Sequence, residues 1–171
     1  MMLWEQFDKN EIYILVMLVV AYATFFILPK KLPRNITLLF LIWGFASSTL
    51  FDFTIGGGLM DFYKVNDSNK YEVSDLLTYI LFATFGYFFV YFYQVLGINK
   101  KRVIPYVLGW TAIGLVMETV SKWMGVTHYQ HGYILPYSIA VFLVVQTTTG
   151  LYFELIKKRM NLGNTNEVRI K

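Results

Sequence analysis

Between Leu76 and Ile98 the chain carries no Asp, Glu, Lys or Arg. Wound as an α-helix, a run of this length crosses about 30 Å of hydrocarbon, a solvent in which every backbone N–H and C=O must be satisfied within the protein. Further apolar runs lie on both sides of it, and spans are expected at about 12–29, 36–55, 76–98, 103–124 and 133–153. The fold class that follows is all-α, an integral membrane bundle of five transmembrane helices. Residues 1–159 read as one transmembrane domain and 160–171 as a polar cytoplasmic tail, expected to be mobile.

Composition agrees. The 171 residues are 56% hydrophobic and 15% charged, against about a quarter charged in soluble domains. The apolar runs leave no room among them for a separate soluble catalytic domain. With no cysteine, thiolate catalysis, disulfides and Cys-based metal sites are excluded. The net charge of +4 sits in short basic clusters between apolar runs, which is a topological pattern and not a nucleic-acid-binding face.

The punctuation between runs is local. The residues before the first run hold Glu5, Asp8 and Glu11 against Lys9, unlike a basic signal-peptide leader, so this run is expected to be a retained helix. Pro33 separates the first two runs, Gly56, Gly57 and Gly58 end the second, and Ser74 and Asp75 are candidate N-caps of the third. Pro105 falls in the first turn of the fourth, where a missing N–H costs nothing. Lys30, Lys31, Arg34, Lys100, Lys101, Arg102, Lys157, Lys158, Arg159, Arg169 and Lys171 then fall on one side, and only Lys9, Lys64, Lys70 and Lys122 on the other. Cytoplasmic loops hold the excess of Lys and Arg, so the N-terminus is expected outside and the C-terminus in the cytoplasm. Trp4, Tyr13, Tyr71, Trp123, Tyr129 and Tyr133 near the outer ends, and Tyr91, Tyr93, Tyr106 and Tyr152 near the inner ends, read as interfacial anchors. Gly44, Ser47 and Ser48, and Gly109, Ala112 and Gly114, are candidate points of close helix contact.

Two carboxyls stand inside spans. Counted along parallel helices from Ile36 and Val103, Asp52 and Glu118 lie about 24 and 22 Å into the membrane, at one depth in its outer part. Ionisable groups there face a partner or a wet cavity and often carry function. Lys122, four residues after Glu118, offers a local ion pair as the structural alternative, with Asp52 capping the helix end. His128 and His131 stand in the following loop, and with the two carboxyls they form a weak candidate divalent-metal site. Asp52, Glu118, Lys122, His128 and His131 are thus the candidate polar cluster, expected near one mouth of the bundle. Thr111, Thr119, Gln146, Thr147, Thr148 and Thr149 are polar positions whose simplest use is bonding to their own helix or packing between helices. Asn66-Asp67-Ser68 matches a glycosylation acceptor, and no nucleotide, phosphate or nucleophile-elbow motif occurs.

Asp52, Glu118, Gly125, Tyr129, His131-Gly132-Tyr133 and Ser138 together resemble a family of small uncharacterised multi-pass membrane proteins of spore-forming Firmicutes. The likeness runs from about Pro33 to Arg159, with Tyr133 where the family pattern has Trp. It implies a bacterial plasma membrane and leaves the activity open. The leading expectation is a non-enzymatic envelope subunit or partner-binding component, with a membrane-protein partner or a homo-oligomer, no nucleic acid and no cofactor. The alternatives are a proton or small-cation channel or carrier using Asp52 and Glu118, and a membrane-embedded metal-dependent enzyme.

Overall fold

The computed structural model describes residues 7–66 and 72–169, with side chains as far as Met160. In chain order the elements are α1 (Lys9–Ile27), α2 (Arg34–Thr54), β1 (Tyr63–Val65), α3 (Val73–Val95), α4 (Val103–Trp123), β2 (Thr127–Tyr129) and α5 (Leu135–Arg169). All five helices are long and apolar enough to cross a membrane. Trp4, Tyr71, Lys70, Asp67, Ser68 and Lys171 lie outside the described residues.

Each helix end has a local cause. Asp8 and Glu11 form a capping box at the start of α1, the Asp8 carboxylate accepting from Asn10 N at 3.0 Å and Glu11 from Asp8 N at 3.0 Å. Leu28, extended ahead of Pro29, ends that helix two residues sooner than hydropathy suggests. At α3 the expected caps give way to an earlier one. Glu72 is the N-cap and Asp75 reaches back to its N–H at 2.8 Å, because the first turn needs acceptors at both positions. Gly97 and Gly125, with φ of +58° and +82°, close α3 and α4. In both, the residue after the glycine bonds back to the fifth residue before it: Ile98 N to Tyr93 O at 3.1 Å and Val126 N to Ser121 O at 2.8 Å. The fifth helix does not stop near Phe153. It runs through Arg169, so the backbone of the expected mobile tail is helical to that point.

The helices form two groups. α1 and α2 pack against α3, and α4 packs against α5. α3 is the central member, with 61% of its apolar stretch buried inside the bundle against 11% for α2 and α4. Its crossing with α2 rests on two facing glycines: a Cβ on Gly86 would stand 2.5 Å from Phe40 O, and one on Gly44 would stand 2.6 Å from Phe82 O. Of the expected contact points in α4, Gly114 lies against the Phe142 ring, whereas Gly109 meets nothing within 4 Å.

At the end where α5 continues into the tail, called here the tail end, the two groups close on each other. Ile36, Phe40, Phe89, Val90, Tyr93, Val107 and Phe153 form one buried cluster. The Phe89 ring lies 5.0 Å from Tyr106 and 5.7 Å from Trp110, and Tyr93 meets Phe153 edge-on at 5.6 Å. Tyr106 donates to Phe89 O at 2.5 Å. Tyr91 and Tyr93, read from the sequence as interfacial anchors, are 3% and 1% exposed. They belong to the core because their rings fill the space between α3 and its neighbours. Of the anchors named for the other end, Trp123 is exposed and Tyr133 is buried.

That other end is closed by a feature absent from the hydropathy reading. β1 and β2 pair antiparallel, Tyr63 opposite Tyr129, Lys64 opposite His128 and Val65 opposite Thr127. Asn66 N to Val126 O and Gln130 N to Phe62 O, each 2.8 Å, extend the pairing on both sides. This ribbon ties the α2–α3 connection to the α4–α5 connection, so the two helix groups are joined at both ends. Asn66 is 1% exposed and donates to Asp75 Oδ1 at 2.7 Å, which removes it from reach as a glycosylation acceptor.

Candidate functional site

Under the ribbon the two groups stand apart around a cavity of about 250 Å³, walled by residues from all five helices and roofed by Tyr63, Val65, Val126 and Thr127. On α5 it runs from Ser138 to Thr149, a depth of about 16 Å at 1.5 Å per residue. Its floor is Trp43, whose Nε1 donates to Thr149 Oγ1 at 2.9 Å, together with Phe89 and Trp110. Phe89 also belongs to the aromatic core of the tail end, which continues below.

Asp52 and Glu118 both line this cavity. Asp52, in the last turn of α2, accepts a hydrogen bond from the Tyr79 phenol of α3. Gly56 makes room for it: a Cβ there would stand 2.6 Å from Asp52 Oδ1 and 3.0 Å from the Tyr63 ring. Glu118 sits on α4 opposite the start of α5. Its Oε1 accepts from Tyr129 OH at 2.7 Å and from Ser138 Oγ at 2.6 Å. Ser138 spends its only proton on Glu118, so Tyr133 OH, 3.0 Å away, donates to Ser138. The other carboxyl oxygen, Oε2, is buried and has no hydrogen-bond partner among the described residues.

Three tyrosines outside the helices register this environment. Burial first, then the charges of Asp52, Tyr133 and Glu118, push the Tyr63 phenol far above its ordinary value. Tyr129 is raised by burial and by its hydrogen bond to Glu118, and Tyr133 by burial. Tyr63 therefore lies within the fields of both carboxyls, and its ring stands 6.0 Å from that of Tyr133.

The other sequence candidates stand apart from the cavity. Lys122 does not pair with Glu118; its Nζ lies 4.2 Å over the Tyr129 ring, since Glu118 is already turned inward to two hydroxyl donors. His128 Nε2 donates to Gly125 O at 2.7 Å, and His131 Nδ1 to Asp61 O at 2.6 Å with Asp61 Oδ2 3.7 Å away. Both histidines are exposed. Among the described residues no three His, Asp or Glu side chains gather closely enough to hold a metal ion. Thr119, Thr148 and Thr149 bond carbonyls of their own helices, while Thr111 Oγ1 is buried without a partner among the described residues.

Tyr63, Tyr79 and Gly56 were not singled out by sequence as part of a site, and Tyr129 and Ser138 entered only as an anchor or through a family resemblance. Tyrosines at helix ends read equally well as interfacial anchors, and nothing in the spacing of Tyr79 from Asp52 marks them as partners. No family model, curated protein or solved structure matches this chain.

Proposed function

We propose that this protein is a multi-pass component of the bacterial plasma membrane that holds a small molecule in the cavity beneath its ribbon. It is a non-enzymatic binding component of the envelope, with the N-terminus and ribbon outside and the tail in the cytoplasm. The observation that carries the reading is the cavity itself, closed below by packed rings and furnished at its upper end with Glu118, whose Oε2 has no partner. Small-molecule sites are concave, mostly apolar and set with a few convergent polar groups. At about 250 Å³ this one suits a ligand smaller than the drug-sized molecules for which pockets of about 300 to 1,000 Å³ are usual.

The distribution of Lys and Arg supports the orientation. A channel reading has less support, because no polar path continues through Phe40, Phe89, Tyr93 and Phe153. The same holds for a metal-dependent enzyme, given the separated histidines.

The test is purification from native membranes in mild detergent, with mass spectrometry of small molecules and proteins carried along. The control is Ser47→Phe, which fills the cavity from α2. A small molecule retained by the wild type and absent from the variant is the expected result. A stoichiometric protein partner with no small molecule overturns the ligand reading and leaves an envelope subunit. The chain has no cysteine, so orientation is read separately from single-cysteine variants. With an impermeant maleimide on intact cells, Lys64→Cys is expected to label and Lys101→Cys is not.

A further inference from the structure

We infer that the molecule held in this cavity is a small organic cation, an amine or quaternary ammonium group on a compact apolar body; the inference rests on the binding reading above. Among the described residues two carboxyls line the cavity, and no Lys, Arg or His does. In surroundings of low dielectric, an acidic lining without a basic partner favours a positive guest. Glu118 is the sharper half. Its Oε1 already carries two donors and its buried Oε2 carries none, so the site is short of one positively polarised neighbour at a defined atom.

The rings fit the same guest. Tyr63, Tyr79 and Tyr133 surround the acidic end, and aromatic faces beside carboxylates are the usual setting in which proteins hold ammonium groups. The molecule already uses this contact just outside the cavity, where Lys122 lies over the ring of Tyr129, whose hydroxyl donates to Glu118. A bare metal ion is the poorer guest, because no three charged or imidazole ligands converge among the described residues. The remaining walls, from Ile113 to Val145, are mainly apolar and suit a hydrocarbon or aromatic body directed toward the Trp43–Thr149 floor.

The experiment compares labelled benzyltrimethylammonium with its neutral carbon isostere, neopentylbenzene, on full-length protein in nanodiscs. Specific binding is what Ser47→Phe removes. The expected result is saturable binding of the cation, none of the isostere, and a loss of at least about tenfold in affinity in Glu118→Gln and in Asp52→Asn. Both substitutions keep side-chain volume, and helical content and thermal unfolding by circular dichroism establish that the variants are folded. Equal specific binding of the two probes overturns the inference and leaves the binding cavity standing. Unchanged cation affinity in folded Glu118→Gln and Asp52→Asn overturns it too. Specific binding of neither probe up to millimolar concentration overturns both the inference and the reading on which it rests.

Discussion

The two ends of the bundle are built from the same helices and packed in opposite ways. At the tail end Phe40, Phe89, Tyr93, Val107 and Phe153 close the gap between the α1–α2–α3 and α4–α5 groups with interlocked rings. At the ribbon end the same groups enclose about 250 Å³ around Asp52 and Glu118. Apolar character does not separate the two, since both are rich in Phe, Tyr and Trp. What separates them is the means of closure. One end is held by side-chain packing, and the other by a backbone ribbon and a few hydrogen bonds that span the opening without filling it.

Truncating a ring at the tail end is therefore expected to be the most damaging change. Phe153→Ala, in the core and away from the cavity, is expected to cost about 3–5 kcal/mol, read as thermal or denaturant unfolding in detergent, whereas Phe142→Ala on the cavity wall costs clearly less. Equal losses would break the comparison. Next is the crossing beside the cavity: Gly86→Ala places a Cβ 2.5 Å from Phe40 O and is expected to cost about 1–3 kcal/mol. Gly109→Ala, which meets nothing within 4 Å, is expected to be neutral or to gain up to about 1 kcal/mol from helix propensity.

At the ribbon end the polar groups should dominate. Glu118→Leu leaves Tyr129 and Ser138 without their acceptor and is expected to cost about 1–3 kcal/mol, with Glu118→Gln costing less because an acceptor oxygen remains. Ser47→Phe, which enters open space, is expected to change stability by less than about 1 kcal/mol. The smallest effect sharpens the contrast through pH. The Tyr63 phenol is raised above its ordinary value of 10.0 by burial and by the carboxyl charges. Its contribution is therefore fully present below pH 10 and is lost as pH rises toward the folded-state value. Tyr63→Phe is expected to flatten the alkaline fall in unfolding temperature.

The five helices were legible because a membrane span is a local property, written in each run by length and by the absence of charge. Their ends were legible only where one residue decides. Pro33 does so at α2, but at α3 the Glu72–Asp75 box moved the start ahead of the Ser74 and Asp75 caps expected from sequence. The ribbon was not legible. Its strands are three residues each, and Tyr63 finds Tyr129 across the whole of α3 and α4, so no local pattern announces the pairing. Of the site, the carboxyls stood out because charge inside a span is costly. Their hydroxyl partners did not, since Tyr79, Tyr129 and Ser138 become donors only once the helices are assembled.

The most direct measurement is the reactivity of a single cysteine at Ser47, on the cavity wall, toward small methanethiosulfonates of opposite charge, with each rate normalised to a free thiol in solution. Labelling is expected to favour the ethylammonium over the ethylsulfonate reagent by about tenfold or more, and Asp52→Asn with Glu118→Gln should erase the preference. A cysteine that reacts with neither reagent, or with both at equal normalised rates in the otherwise unaltered protein, would contradict an open, cation-selective cavity at this end of the bundle.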